Sequence, residues 1–235
     1  MRNIKKTASF FIICFSLFSI FINSAFADSS IETQHFRVLR FEGKVDESKL
    51  REAGQKLESA YADVTALLGI TSYKSGKIEA RVWGGKPIRP HMSSYTVVNF
   101  HIDYIDIPII RHELAHILLH KCLPNVPRWF DEGIAQYAER GLIMALDRLP
   151  SYPGDFALRK LDNVFTKADI HKGEVSSEEE RAYLYSYGAV SYLIERYGKE
   201  KLGMVLQGRG DFNGRFEKAY GKDVEDFEKE LINIY

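Results

Sequence analysis

The segment RHELAHILLH, Arg111–His120, is the sequence feature that most constrains what this chain can fold into. It contains the pattern H-E-x-x-H at His112, Glu113 and His116. In a helix, residues four apart lie one turn apart on the same face, so both imidazoles can bind a single ion. Zinc takes imidazole nitrogen readily, and a glutamate beside the first histidine is placed to accept a proton rather than to bind the metal. The segment therefore predicts a helix that carries two ligands of a metal site.

A catalytic zinc site needs a third protein ligand and keeps its fourth position open. The best candidate is Glu132 in RWFDEGIAQY, which follows the short turn LPNVP and begins a second predicted helix. A hairpin of this length would return Glu132 to the middle of the first helix. Gly133 would allow close helix approach, and Trp129 and Phe130 would supply apolar packing. An ordinary surface glutamate near a helix start is the competing interpretation, and the combination with H-E-x-x-H favours the ligand.

Two other residues are weaker candidates for the third ligand. His120 lies two turns beyond His112, about 12 Å along the helix axis, which is too far for one ion to bind both comfortably. Cys122 follows His116 by six positions, but a thiolate would be an unusual substitute there. We interpret His120 as a helix C-terminal histidine and Cys122 as a small buried residue. Asp131, beside Glu132, is either a hydrogen-bond partner of a histidine ring or a solvent-exposed side chain.

The first part of the chain predicts a small mixed sheet with one helix. Alternating β-branched and aromatic residues indicate strands, and apolar residues at helical spacing indicate the helix. Asp46 can cap the start of this helix and Gly69 can close its end. Strands are predicted at 35–41, 77–84 and 93–102, with the helix between 45 and 69.

The chain becomes helical from about residue 107. Pro108 suits the first turn of the H-E-x-x-H helix. A capping-box pattern at Ser177 and Glu180 opens a later helix that Gly198 ends. Helices are predicted from 107 to about 121, over 128–142 and over the capped segment, with two shorter helices at the end and a poorly patterned stretch at 147–175. The expected fold class is α+β, with an N-terminal α/β lobe at 28–104 and a helical part at 105–235.

The first residues predict a secretory signal peptide. Arg2, Lys5 and Lys6 form a positive head, Phe10–Ile22 is almost unbroken apolar sequence, and A-F-A at 25–27 supplies small residues at a cleavage site. We expect cleavage after residue 27 and export to the periplasm or the medium. Since no second apolar run has spanning length, we expect no stable membrane insertion after cleavage.

Composition narrows the remaining function classes. The 32 Lys and Arg residues balance the 32 Asp and Glu residues, so charge gives no reason to expect nucleic acid as a partner. Of the two cysteines, only Cys122 lies outside the predicted signal, so no intrachain disulfide is expected. Because 45% of the residues are hydrophobic, we expect an apolar core rather than disulfides to stabilise the fold.

H-E-L-A-H followed by PRWFDEGIA resembles the gluzincins of the peptidase MA clan, in particular the small peptidase MA-like domains with the pattern H-E-x-x-H, loop, W-x-x-E-G-x-A. The segments AYLYSYGAVSYLIERYG and FEKAYGKDVEDFEKEL are similar to the next helix and the tail of that family, so the resemblance covers 105–235. The matching residues of the pattern are His112, Glu113, His116, Trp129, Glu132, Gly133 and Ala135.

The resemblance implies a zincin-like fold and peptide-bond hydrolysis at one Zn²⁺ ion. Glu113 would take a proton from the attacking water and pass it to the leaving amine. Aligned with the family pattern, Tyr183 is the expected donor to the developing oxyanion, with Tyr185 in reserve. The implied metal ligands are His112, His116 and Glu132.

The fold also implies an edge strand beside the cleft, for which SSYTVVNF is the natural candidate. An extended peptide or protein substrate would pair with such an edge. The strand carries no acid to hold a substrate α-amine, which favours an endopeptidase over an aminopeptidase. The alternative function is a catalytically inactive binding or assembly protein of the cell envelope on the same scaffold. The sequence predicts no oligomeric state.

Overall fold

The structure, a computed structural model, describes residues 30–70, 76–88, 90–141, 152–153, 157–167 and 176–234. The predicted signal segment at 1–27 lies outside the described residues, so export stays a prediction. Within the described residues, no helix combines the length and the apolar character that crossing a bilayer requires. Most of the unpatterned stretch at 147–175 also lies outside the description.

A five-stranded mixed sheet forms the N-terminal part of the described chain. Its strand order is β1-β2-β3-β5-β4, with β2, β3 and β5 parallel and both outer strands antiparallel to their neighbours. Alternate residues of β3 are buried, as expected for a sheet covered on one face. The strands are β1 Ser30–Glu32, β2 Phe36–Gly43, β3 Ile78–Gly84, β4 His91–Ser94 and β5 Val97–His101.

The single strand predicted at 93–102 is wrong, because this segment belongs to a β4–β5 hairpin followed by a short 3₁₀ helix. Tyr95 and Thr96 make the turn, in which the Thr96 N–H donates to Ser94 Oγ at 3.3 Å. Neither turn residue is the Gly, Asn or Pro that usually marks a turn. The edge strand is therefore β4, while Val97–His101 lies inside the sheet.

Helix α1, Glu47–Leu68, connects β2 to β3 and buries an apolar stripe. Gly69 closes it in the left-handed conformation at φ 66°, which glycine adopts without steric cost, as predicted. Asp46 occupies the capping position, but its side chain makes no capping hydrogen bond, so that part of the prediction is wrong. The short β1 strand was not predicted.

The C-terminal part is mostly helical, and together with the sheet it makes an α+β fold, as predicted. Its helices in the described residues are α2 Ile107–Cys122, α3 Arg128–Arg140, α4 Leu158–Lys167, α5 Ser177–Tyr197, α6 Lys199–Gln207, α7 Phe212–Tyr220 and α8 Val224–Ile234.

Three details of this helical part differ from the prediction. Helix α4 lies inside the stretch that has little pattern, and three short helices rather than two follow α5. The capping box that opens α5 is formed by Ser176 and Glu179, one residue before the predicted pair. Gly198 ends α5 as predicted.

Helix α3 is held by an aromatic cluster and by a close contact with α5. Trp129 and Phe130 are buried against aromatic rings of α7 and α8, with ring centroids 5.0–6.5 Å apart. On another side of α3, a Cβ atom at Gly133 would lie 2.4 Å from the Ser186 carbonyl oxygen of α5. Gly133 therefore permits a close helix approach as predicted, but its partner is α5 rather than α2.

We expect Gly133→Ala to lower the free energy of unfolding by about 1–3 kcal/mol, because the added methyl overlaps the α5 backbone. Thermal unfolding followed by circular dichroism measures this. Gly203→Ala is the matched control: its nearest neighbour is a carbonyl oxygen at 3.9 Å, so helix propensity should leave that variant as stable as the wild type or up to about 1 kcal/mol more stable. Equal stability of the two variants would contradict the proposed overlap.

A polar cluster fastens α8 to α5 and makes stability depend on pH. Glu230 accepts hydrogen bonds from the hydroxyls of Tyr192 and Tyr197, both at 2.7 Å, and from the Lys222 ammonium. Burial opposes the charged carboxylate, but these hydrogen bonds outweigh it and lower the pKa of Glu230. A lowered pKa stabilises the folded state above the unfolded value of about 4.5 and loses that contribution as pH falls through the folded pKa.

Glu230→Gln should therefore reduce the free energy of unfolding by about 1–3 kcal/mol at pH 7, and the difference from wild type should shrink below about pH 4.5. Urea unfolding at pH 7, 5, 4 and 3 measures the difference. Glu225→Gln on the same helix, whose side chain is 79% exposed, is the control and should show little effect. A difference that stays constant down to pH 3 would rule out the charged carboxylate as its source.

Candidate metal centre

Helix α2 presents two histidines to one point. The helix begins where the Ile107 N–H donates to the Asp106 side chain at 2.8 Å, and Pro108 lies in its first turn as predicted. His112 and His116 follow on one face, with their Nε2 atoms 3.3 Å apart.

The turn at 123–127 returns the chain so that the first turns of α3 lie against α2. Glu132 Oε2 then lies 3.6 Å from His116 Nε2 and 3.9 Å from His112 Nε2. One ligand atom from each of these three side chains falls within 4.8 Å of the other two. The structure thus brings together the three residues that the sequence predicts as metal ligands.

The outer nitrogen of each histidine is held by an acid of α3. His116 Nδ1 donates to Asp131 Oδ1 at 2.6 Å, and His112 Nδ1 donates to Glu139 Oε2 at 2.9 Å. When a ring is protonated only on Nδ1, as metal binding requires, its Nε2 turns an unshared electron pair toward the cluster. Asp131 is therefore the ring partner of a histidine, which was one of the two alternatives left open by the sequence.

His120 and Arg128 hold the carboxylates of Asp131 and Glu132 in place. His120 Nε2 donates to Asp131 Oδ2 at 3.0 Å, so Asp131 bridges two histidines of α2. Arg128 Nη2 donates to Glu132 Oε1 at 2.7 Å, which leaves Oε2 directed at the histidine pair. His120 thus supports the cluster rather than joining it, and Cys122 at the end of α2 lies outside it.

The donor set fits a zinc ion. Three electron-pair donors, two imidazole nitrogens and a carboxylate oxygen, face one another, and these are ligand types that zinc prefers. Ligand atoms about 2.0–2.1 Å from a tetrahedral ion lie about 3.3–3.4 Å apart. The observed separations of 3.3, 3.6 and 3.9 Å are close to that spacing.

The charges around the cluster favour a cation. Burial disfavours a charged ring at His116, but the carboxylates of Asp131, Glu132 and Glu113 outweigh it and raise the pKa of His116 to about 10. Burial also opposes charge on Asp131, whereas the charge and hydrogen bond of His116 hold the pKa of this carboxyl below its ordinary value. The site therefore attracts positive charge, from a proton or from a metal ion.

Glu113 lies on the neighbouring face of α2 and is only 8% exposed. Its carboxylate makes no hydrogen bond or ion pair with any residue that the structure describes, and its charge acts on both His116 and Tyr183. Carboxylates in folded proteins usually have a cation or a hydrogen-bond donor as a partner, so one without a described protein partner is open to a donor from outside the chain. Its lone pairs are thus free to receive a proton beside the three-residue cluster.

Tyr183 and Tyr185, the two tyrosines considered from the sequence, lie in different surroundings. Tyr183 lines a cavity of about 520 Å³ together with His112, and burial followed by the negative charge of Glu132 raises the pKa of its phenol. Tyr185 packs on Tyr152 with ring centroids 5.1 Å apart. Of the two, Tyr183 shares a cavity with a predicted metal ligand.

Sequence reasoning missed three residues near the cluster, Arg128, Gln136 and Glu139. They stand at −4, +4 and +7 from Glu132 in the same helix, which places them on the same face of α3. This spacing was a usable signal once Glu132 had been chosen as the candidate ligand.

Residues 90–234 match the family profile of the Peptidase MA superfamily. The chain belongs to the peptidase MA superfamily. The chain is similar to the solved structure of a mutant M1 zinc metallopeptidase from Deinococcus radiodurans, with 16% sequence identity and a TM-score of 0.45. The match covers 86% of this chain and 50% of that chain. The chain thus spans about half the length of that protein. No curated protein matches it significantly.

Membership of the superfamily supports a metallopeptidase-like protein with a zincin-like α+β fold, and it implies zinc as the metal. In such a site, hydrogen-bond partners of the histidines typically contribute tenfold to a hundredfold to metal affinity.

We expect Asp131→Asn to weaken zinc binding about tenfold to a hundredfold, because the neutral amide no longer holds His116 by its charge. Competition with a chromogenic zinc chelator measures the dissociation constant. The matched control is Asp63→Asn, which removes the carboxylate paired with Arg111 of α2 at 2.9 Å without touching a histidine. A dissociation constant unchanged within twofold in Asp131→Asn would show that the bond does not support the metal.

Proposed function

We propose that the protein is a zinc-dependent peptidase that hydrolyses peptide bonds, with His112, His116 and Glu132 as metal ligands and Glu113 as the general base. The observation that carries this proposal is the convergence of three ligand atoms within 4.8 Å beside a buried carboxylate that has no partner among the described residues. Membership of a peptidase superfamily supports the same reaction.

Zinc, when bound by these three residues, supplies acidity to a water molecule and polarises the scissile carbonyl group. The protein supplies the remaining parts. Glu113 accepts one proton from the attacking water on a carboxylate oxygen and delivers it to the nitrogen of the leaving amine as the C–N bond breaks. Because no described side chain competes for the carboxylate of Glu113, it is available for both transfers.

Tyr183 is the proposed donor to the carbonyl oxygen as negative charge develops there. Its phenol keeps its proton throughout the neutral pH range, so the hydroxyl is available to donate a hydrogen bond. Its place in the cavity beside His112 also supports this assignment.

The proposed substrate is an extended segment of a peptide or protein. Strand β4 lies at the edge of the sheet and contacts α2, so a substrate strand could add to it beside the metal centre. His91–Ser94 contains no acid that could hold a substrate α-amine, which favours cleavage within chains over removal of terminal residues. We also propose export of the protein, on the basis of the predicted signal segment at 1–27.

Glu113→Gln tests the catalytic proposal. We expect the variant to retain zinc and to lose peptide cleavage by about 10²–10⁴-fold, because glutamine cannot accept the proton. Cleavage of casein and of a mixed peptide library, with elemental analysis of zinc in the same samples, provides both measurements. Glu217→Gln on α7, an exposed glutamate that belongs neither to the three-residue cluster nor to the cavity lining, is the matched control and should cleave at the wild-type rate.

Zinc bound stoichiometrically without any cleavage by the wild-type protein would favour the inactive binding protein instead. Undiminished cleavage by Glu113→Gln would exclude Glu113 as the base. Products of varied internal length support an endopeptidase, whereas release of single residues would support an exopeptidase.

A further inference from the structure

Gln136 of α3 is a buried amide that the proposed chemistry does not use. Its side chain is 8% exposed and forms no hydrogen bond with any described residue. Polar groups in folded proteins bind either other protein groups or water, so an amide without a described protein partner is able to bind a molecule in the space that it faces. Since Gln136 lines the cavity of about 520 Å³ next to His112, its amide can form hydrogen bonds with a ligand that enters this space.

The position of Gln136 relates this cavity to the metal centre. Gln136 follows Glu132 by four residues, so it lies one turn further along the same face of α3. His112 and Tyr183, a predicted ligand and the proposed oxyanion donor, line the same cavity. A substrate whose scissile bond lies at the metal centre would therefore place a neighbouring side chain in this space.

The charges at the cavity are opposite in sign. Arg140 from α3 and Glu180 from α5 both line it and are exposed, while Leu184 supplies an apolar wall. Arg140 and Glu180 have opposite charges, so this pair does not by itself favour an acidic or a basic side chain. Gln136 is the buried polar group in the lining that offers hydrogen bonds without charge.

We propose that this cavity is a specificity pocket for a carboxamide side chain, asparagine or glutamine, at a substrate position flanking the scissile bond, with Gln136 as the residue that selects it. The glutamine amide has a carbonyl acceptor and an NH₂ donor, so it can exchange two hydrogen bonds with a second carboxamide. A site built to hydrogen-bond a substrate group discriminates against analogues that lack it, because its own buried polar atoms are then left unpaired. This inference rests on the proposed peptidase function.

Gln136→Leu, which replaces the amide by an apolar group of similar size, tests the inference with a positional-scanning peptide library and zinc-loaded protein. We expect the wild type to prefer Asn or Gln at one position beside the cleaved bond. In Gln136→Leu, kcat/KM for those peptides should fall about tenfold to a hundredfold, while peptides with Leu or Met at that position are cleaved equally well or better. Gln207→Leu on α6, whose amide donates to the Gly69 carbonyl oxygen at 2.6 Å, is the matched control and should keep the wild-type preference.

A second measurement separates substrate selection from a structural role. If Gln136 only supported the fold, Gln136→Leu would lower the melting temperature of the metal-free protein and reduce zinc content. We expect its melting temperature to equal that of the wild type, since no hydrogen bond with a described residue is removed, and zinc content to stay unchanged. A lower melting temperature together with an unaltered preference overturns the inference.

Two other results of the peptide-library experiment also test the proposed carboxamide pocket. An equal fall in kcat/KM for every peptide would mean that Gln136 holds the substrate backbone, and it would overturn the pocket's selectivity for carboxamides. If the wild type cleaves no peptide, the proposed function fails, and binding of the same library to zinc-loaded protein takes the place of cleavage. The pocket would still be supported if the wild type bound peptides with Asn or Gln selectively and Gln136→Leu did not bind them. Unselective binding or no binding by the wild type would overturn it.

Discussion

The burial of acids in α3 is the constraint on which the rest of the structure depends. The helix is buried continuously from Trp129 to Ala138, and this stretch includes Asp131 and Glu132. Carboxylates are almost never buried without cations or hydrogen-bond donors, because the loss of hydration costs several kcal/mol. Asp131 finds its donors in two histidines of α2, and Glu132 finds its donor in Arg128. These bonds fix the rotation of α3 against α2 and so determine where the ligand atoms meet.

The same constraint explains why the helical part continues so far beyond the metal cluster. Arg128, Glu132, Gln136 and Arg140 recur every four residues, so α3 carries a polar stripe on the face that meets α2 and the cavity. Its other faces are apolar and need cover. Helix α5 covers the side of Gly133, and the aromatic rings of α7 and α8 cover the first turn. Helix α2 alone can cover only the face of α3 that carries the polar stripe. The apolar faces of α3 therefore need the additional helices.

Features of the fold and of the metal centre that depend on residues close together in the sequence could be predicted, whereas features that depend on distant residues could not. The spacing of His112 and His116 and the short turn before α3 limit the geometry so strongly that the ligand set could be proposed from spacing alone. The bond between His112 and Glu139 joins residues 27 positions apart, and only the packing of α3 on α2 decides that pairing.

Other misses arose where the local signal was ambiguous. In SSEEE, both Ser176 with Glu179 and Ser177 with Glu180 satisfy the capping-box spacing, and the structure uses the first pair. The turn between β4 and β5 is made by Tyr95 and Thr96, residues that are common in strands, so the hairpin read as one continuous strand.

The polar groups that have no hydrogen-bond partner among the described residues differ in their surroundings, and this difference matters for assigning function. The hydroxyls of Ser186 and Ser191 lack a hydrogen-bond partner within the described part of the chain, yet both sit on a helix packed in the core. A small hydroxyl can be tolerated there at modest cost. Glu113 has a carboxyl group and Gln136 an amide with several hydrogen-bonding positions, and both lie next to the histidine cluster. Gln136 faces the cavity that a substrate could occupy, and Glu113 acts on His116, which is the arrangement expected of groups kept for binding and chemistry rather than for stability.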